Sequence, residues 1–269
     1  MFLLKKICIG LSVFVMIAAV TACGKKVTIS ANSTENDEAA PEKYIIATNT
    51  RFEPFEFQNA QGEYVGIDID LLEAIAKDQG FEYELVHLTF NDMLQALAVG
   101  EVDAAMGGIS ITEERREYYD YSAPYLDGGI VLAVPAARSD IRTFEDLSGK
   151  RVAVAVALGT QAEAYAESIK DVYGFEVVTF NEFNEVYRDV LEGNSQALFE
   201  DYPVIGYLIS RGMELKIISD VEERSPYGFA VPKGQNPELI ELFNNGLENL
   251  REDGTYQKII DTYIHDDRV

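Results

Sequence analysis

From residue 44 onward, short apolar runs alternate with segments whose apolar residues recur at helical spacing. Residues 44–48 form one such run, which is typical of a buried strand. In residues 68–79, Leu71 and Ile75 fall on one helical face, and Gly80 follows in the position that ends many helices. This alternation predicts an α/β fold with parallel sheets covered by helices on both faces.

The order of strands and helices starts again after Val134 and Pro135, and residues 227–231 predict an extended segment that crosses back. One wide sheet would satisfy this pattern, but two lobes account better for the restart. Ligands in such folds bind outside the carboxyl ends of the strands, so a cleft between the lobes is expected. The predicted strands are residues 44–48, 83–86, 102–106, 151–156, 176–180, 196–199 and 215–218, and the predicted helices are 68–79, 91–99, 160–172, 183–192, one beginning at Pro203, 236–250 and 256–264.

The N-terminus has the pattern of a secretory signal: Lys5 and Lys6 precede a 16-residue apolar run, residues 7–22. That run is shorter than the ~20 residues that span a bilayer as a helix. Residues 20–23 (VTAC) resemble a bacterial lipobox, which implies cleavage after residue 22 and lipid attachment to the sulfur of Cys23. Residues 23–42 are then a small, polar tether. A plain signal peptide and an uncleaved anchor are the alternatives.

Charge and composition exclude several functions. Lys and Arg total 22 against 46 Asp and Glu, a net charge of −24 that repels nucleic acids. Two His and two Cys are too few for a zinc cluster of these ligands. The sequence lacks the motifs of nucleophile elbows, phosphate loops, zinc proteases and dinucleotide sites. No cofactor and no metal are therefore expected.

One set of residues suits a zwitterion. Residues 107–112 (GGISIT) follow a predicted strand and offer backbone amides and hydroxyls, and Arg115 can pair with a carboxylate. Thr160 begins a second strand-to-helix turn. Glu200 and Asp201 follow another strand and can hold a cation such as an ammonium group. The alternative is that Arg115 forms a surface ion pair with its acidic neighbours.

Several ordered stretches resemble bacterial polar amino-acid-binding proteins of ABC importers, solute-binding family 3, and the opening is most similar to glutamine-binding members. The resemblance extends over nearly all of residues 44–263. The stretches that carry it are residues 48–57 (TNTRFEPFEF), 66–71 (GIDIDL), 107–115 (GGISITEER), 120–125 (DYSAPY), 146–154 (DLSGKRVAV), 159–160 (GT), 201–203 (DYP) and 253–256 (DGTY).

The resemblance implies a two-lobed, type II periplasmic-binding-protein-like fold with two crossing hinge strands and a ligand cleft between the lobes. Hinges are expected near residues 125–129 and 225–229. Residues 43–125 and 229–269 would form lobe 1, and residues 130–224 would form lobe 2.

The resemblance also implies roles for the zwitterion set. Arg115 would bind the α-carboxylate, together with backbone amides of Ser110 and of Thr160 or Gln161. Asp201 would bind the α-ammonium, together with the Gly108 carbonyl and the Ser110 hydroxyl.

At the side-chain end of the ligand, the resemblance implies that Phe52 and Phe90 clamp the side chain, and that Asn49 and Glu200 face its tip. Asn49 stands where many relatives carry Asp, and Ala157 stands where a glutamine binder can carry Lys. Glutamine or another neutral polar amino acid is ranked first. Arginine or lysine is ranked second, because Glu200 would suit a cationic side chain.

The expected function is capture of a free L-amino acid outside the cytoplasm and its delivery to ABC permease subunits. The protein is expected to be lipid-anchored and monomeric, and not to be an enzyme. Two alternatives share the fold. One is an arogenate or prephenate dehydratase with Glu200 as general acid. The other is an adhesin or sensor.

Overall fold

The computed structural model of the protein describes residues 43–49, 51–155, 160–180 and 182–264. The predicted signal (1–22), Cys23, the tether (23–42) and Ala157 lie outside the described residues. Within those residues, no helix is long and apolar enough to cross a membrane. The same residues contain no group of three or more His, Cys, Asp and Glu side chains placed to hold a metal ion.

Strands and helices alternate along the described chain, as the hydrophobic pattern predicts. The strands are β1 (Lys43–Asn49), β2 (Phe57–Gln58), β3 (Tyr64–Val65), β4 (Glu82–Leu88), β5 (Ala104–Ala105), β6 (Tyr119–Tyr121), β7 (Leu126–Asp127), β8 (Ile130–Pro135), β9 (Arg151–Ala155), β10 (Glu176–Phe180), β11 (Ala197–Asp201), β12 (Leu215–Ile217), β13 (Pro226–Tyr227) and β14 (Ala230–Pro232). The helices are α1 (Ile67–Gln79), α2 (Phe90–Val99), α3 (Gln161–Tyr173), α4 (Phe183–Leu191), α5 (Tyr202–Ser210), α6 (Pro237–Glu252) and α7 (Thr255–Tyr263).

The first sheet has the order β4-β1-β5-β14-β6. Strand β1 is parallel to β4 and β5, whereas β14 is antiparallel to β5 and β6. Helix α1 packs against α6, and Leu71 and Ile75 of α1 are fully buried. Each buried side chain of this size contributes about 1.5–3 kcal/mol to folding. We call this sheet and its helices the first lobe.

The second sheet has the order β10-β9-β11-β8-β12, and with its helices it forms the second lobe. Strand β8 is antiparallel to both β11 and β12, and the hydrophobic pattern predicts no element there. Its residues Ile130–Pro135 are apolar and buried up to the final proline, so they show no alternation that would indicate a strand. Both sheets are therefore mixed. The predicted parallel pairing holds for β1 with β4 and β5 and for β9 with β10 and β11, whereas β6, β8, β12 and β14 pair antiparallel.

Two short strands run between the lobes and confirm the predicted crossing. β7 pairs antiparallel with β13, with Leu126 opposite Tyr227. Tyr227 also forms a β-bridge with Ser110, in the loop that follows β5. The crossing strands thus lie directly against a loop that contributes to the cleft.

Candidate functional site

The candidate site residues lie where strands end and helices begin, which is where the α/β architecture predicts a ligand. Thr89 accepts a hydrogen bond from the Asp92 amide at 3.2 Å and so places Phe90 at the first position of α2. Thr160 caps α3 in the same way, accepting from the Glu163 amide at 3.2 Å. Capping oxygens of this kind fix the helix start.

These residues surround one cavity between the lobes. The first lobe contributes residues that follow β1, β4 and β5, and the second contributes residues from α3, α4 and β11. Nine of the ten predicted ligand-binding residues line it, together with two that the sequence analysis missed. The lining residues are Phe52, Phe90, Gly108, Ser110, Arg115, Thr160, Gln161, Ala162, Phe183, Glu200 and Asp201.

Arg115 is held in place by main-chain and aromatic contacts. Its Nη1 donates to the Ser110 carbonyl at 2.9 Å, and its guanidinium carbon lies 5.5 Å from the centre of the Phe90 ring. The side chain is buried, which lowers its pKa, and Asp201 partly offsets this effect. Since arginine keeps its charge in proteins, Arg115 brings a desolvated cation to the cavity.

Glu200 and Asp201 bring two carboxyl groups from the end of β11. The Tyr187 hydroxyl donates to one Glu200 oxygen at 2.9 Å, and the Asp201 amide donates to the other at 2.9 Å. Burial raises the pKa of both carboxyls. Each also makes ionisation of its neighbour harder, because two like charges in a dry site repel. Arg115 acts in the opposite direction on Asp201.

Phe52 and Phe90 both line the cavity, and each ring has a different neighbour. The ring of Phe52 lies 4.6 Å from that of Phe183, on the opposite lobe, and 5.3 Å from that of Phe55. Phe90 instead faces the Arg115 guanidinium. Phe183 begins an amphipathic helix whose apolar residues are explained by core packing, so nothing in the sequence singled it out as a cavity residue.

Asn49 and Gln161 are tied to other parts of the chain. Asn49 is buried but is not among the residues that line the cavity, and its side-chain oxygen accepts from the Arg51 amide at 3.4 Å. The Gln161 amide group donates to the Glu223 carbonyl at 2.6 Å, and its oxygen accepts from the Ser225 hydroxyl at 2.6 Å. The start of α3 is therefore connected to the segment that precedes β13.

The arrangement suits a small molecule with both charges. A guanidinium from the first lobe and carboxyl groups from the second line the same cavity. The N-terminus of α3 adds backbone amides with partial positive charge. A carboxylate and an ammonium on one ligand would satisfy both sides together.

Comparisons with known proteins show the family of this chain. A model of the bacterial extracellular solute-binding proteins, family 3, matches residues 44–266. The arginine-binding extracellular protein ArtP of Bacillus subtilis (strain 168) is 28% identical over 243 residues, which are 90% of this chain and 91% of ArtP.

Two solved structures differ in how well they superpose. Substrate-binding domain 2 of Lactococcus lactis GlnP, in an open conformation, is 41% identical, covers 84% of this chain and 96% of its own, and gives a TM-score of 0.60. An ancestral arginine-binding protein bound to glutamine is 34% identical. The match covers 83% of this chain and 98% of that protein, and the TM-score is 0.75. From its sequence match and its two-lobed fold, this chain belongs to the bacterial extracellular solute-binding proteins, family 3.

Proposed function

We propose that this protein captures a free polar L-amino acid outside the cytoplasm and delivers it to the permease of an ABC importer. The observation that carries the proposal is the placement of Arg115 and Asp201 on opposite lobes of one buried cavity. Arg115 binds the α-carboxylate with the Ser110 and α3 amides. Asp201 binds the α-ammonium with the Gly108 carbonyl and the Ser110 hydroxyl.

Closure of the lobes follows from this division of charge. Each charge-assisted hydrogen bond is worth about 1.5–3 kcal/mol where water is excluded. A zwitterion reaches both partners only when the lobes are together, so it binds the closed form more tightly. Only such differential affinity shifts the balance between open and closed forms. The closed, loaded form is the one that docks on the permease.

Glutamine ranks first as the ligand, and arginine or lysine second. Glu200 lies on the cavity wall with both carboxylate oxygens already accepting hydrogen bonds, and burial raises its pKa. A neutral Glu200 suits a carboxamide, and an ionised one suits a cationic side chain. The ancestral arginine-binding protein bound to glutamine shows that one scaffold accommodates both ligands.

A thermal-shift screen of the full chain against the twenty amino acids tests the function. At a ligand concentration a hundredfold above the dissociation constant, binding adds about 2.7 kcal/mol to the free energy of unfolding. Arg115→Ala should abolish the shift for every amino acid. Arg116→Ala is the matched control, because Arg116 is half exposed and pairs only loosely with Glu113, at 3.7 Å. Equal binding by both variants would contradict the proposal.

The anchor and the assembly state complete the proposal. Cys23 carries the lipid, which holds a monomer at the outer face of the cell membrane. Labelling with a palmitate analogue should mark the wild-type chain and Cys8→Ser but not Cys23→Ser. Light scattering should give the mass of one chain.

The buried acid Glu200 is the one feature that favours the dehydratase alternative, since a carboxyl with a raised pKa can act as a general acid. We propose that the protein is not an enzyme. Incubation with prephenate should therefore yield no phenylpyruvate, and its formation would overturn this part of the proposal.

A further inference from the structure

A buried carboxylate outside the cavity wall joins residues 107–112, the loop after β5 that we call the ligand loop, to a crossing strand. One oxygen of Asp68, near the start of α1, accepts a hydrogen bond from the Gly108 amide at 2.9 Å. The same oxygen accepts from the Tyr125 hydroxyl, also at 2.9 Å. Asp68 is 1% exposed and Tyr125 is fully buried, so water does not compete for these bonds.

Both donors of Asp68 belong to segments that matter for ligand capture. Gly108 lines the cavity, and a Cβ there would lie 2.7 Å from the Phe52 ring, so only glycine fits. Tyr125 directly precedes β7. Its amide donates to the Tyr227 carbonyl at 3.0 Å, which links it to the other crossing strand. Asp68 therefore connects the position of the ligand loop to the position of both crossing strands.

A second buried carboxyl strengthens the dependence of Asp68 on its two donors. Glu56 is completely buried and close enough to Asp68 that each carboxylate disfavours ionisation of the other. Hydrogen bonds from Gly108 and Tyr125 act against this effect and against burial. Loss of either donor would leave the Asp68 carboxylate poorly solvated behind the ligand loop. Leaving a buried carboxylate without a hydrogen-bond donor raises the free energy of the folded protein.

We propose that Asp68 is a positioning residue for ligand capture. It is bonded to Gly108 of the ligand loop and to Tyr125 beside the crossing strands. The loop therefore takes its ligand-binding position only when the crossing strands are in their closed position. This inference rests on the proposed function. It assigns no contact with the ligand to Asp68, Glu56 or Tyr125. Their effect on affinity is exerted through the Gly108 backbone.

Tyr125→Phe tests the inference because it removes one hydroxyl and keeps the ring. Tyr263→Phe is the matched control: the Tyr263 hydroxyl donates to Asp70 of the same helix at 2.8 Å and accepts from the Gly66 amide at 3.1 Å, and both partners lie outside the ligand loop and the crossing strands. The probes are L-glutamine and L-arginine, titrated into the full-length chain and its variants. Unfolding temperatures without ligand are measured in parallel.

Tyr125→Phe should weaken binding of whichever probe binds the wild type by roughly tenfold, mainly through faster dissociation, whereas Tyr263→Phe should leave it within about twofold. Asp68→Asn, which keeps an acceptor oxygen, should bind more tightly than Asp68→Leu. If Tyr125→Phe lowers only the unfolding temperature and leaves affinity at the control value, the inference is wrong. If the wild type binds neither probe, the amino acid found by the thermal-shift screen replaces them; if that screen finds no ligand, the proposed function fails and the inference fails with it.

Discussion

The rings of Phe52 and Phe183 lie 4.6 Å apart with their planes inclined by 33°, one ring on each lobe. Both rings line the cavity. They give the two lobes an apolar contact of their own, separate from the charged side chains of Arg115, Glu200 and Asp201.

Phe183→Ala should weaken amino-acid binding by several fold, because an aromatic pair contributes about 0.5–1.5 kcal/mol beyond the area it buries. Calorimetry of the variant with the ligand found by the screen measures the loss. Phe81→Ala is the control, since Phe81 is half-buried and contacts Tyr44 and Tyr83 within the first lobe. An equal loss of affinity in both variants would show that Phe183 has no particular role in closure.

Glu200→Gln should separate the two ligand classes. Affinity for arginine or lysine should fall at least about tenfold, or about 1.4 kcal/mol, because the variant lacks a negative charge beside the cationic side chain. Glutamine should be nearly unaffected, since Gln keeps the volume and the acceptor oxygen. Competition binding with both ligands makes the comparison, with the exposed Glu192→Gln as control. Equal losses for both ligands would place Glu200 away from the side-chain end.

Ligand binding near neutral pH should release protons. Burial raises the pKa of both Glu200 and Asp201, so the empty site retains protons on these carboxyls. A ligand ammonium group lowers the pKa of Asp201, and the proton is then released to the buffer. Titration calorimetry in phosphate and in Tris at pH 6.5 should give enthalpies that differ in the direction of proton release. Glu200→Gln should reduce that difference, and a buffer-independent enthalpy would contradict the prediction.

The ligand-free protein should be more stable at pH 5 than at pH 8. Burial raises the pKa of Asp68 from 3.8 to about 7 and raises that of Glu56 as well. Between these values the folded state binds more protons than the unfolded chain, so the free energy of unfolding falls as pH rises through about 7. Urea midpoints at the two pH values test this, and Asp68→Asn should flatten the dependence. A midpoint that rises with pH would refute it.

The sequence predicted the parts of the molecule that local patterns determine. The helices appear within a few residues of their predicted positions, and the turn that holds Gly108, Ser110 and Arg115 lies on the cavity as expected. Strand β8 was missed, because a strand buried on both faces lacks the alternation that marks a half-buried one. Its antiparallel pairing depends on partners more than 60 residues away.

Parts of the site could not be predicted because they depend on distant contacts. Phe183 looks like any apolar residue of an amphipathic helix until the second lobe brings it to Phe52. The bond between Asp68 and Tyr125 joins residues 57 positions apart. The motif that contains Asp68 predicts the start of α1, but nothing local indicates that its carboxylate turns inward to Gly108.

The position of β14 has a consequence for how the chain folds. This strand lies inside the first sheet, between β5 and β6, although it comes from residues 230–232. The second sheet uses only residues 130–217, so all its strands emerge from the ribosome before β14 does. We therefore expect the middle of the chain to acquire its native structure first during synthesis, while the half that begins at residue 43 waits for the last forty residues to complete it.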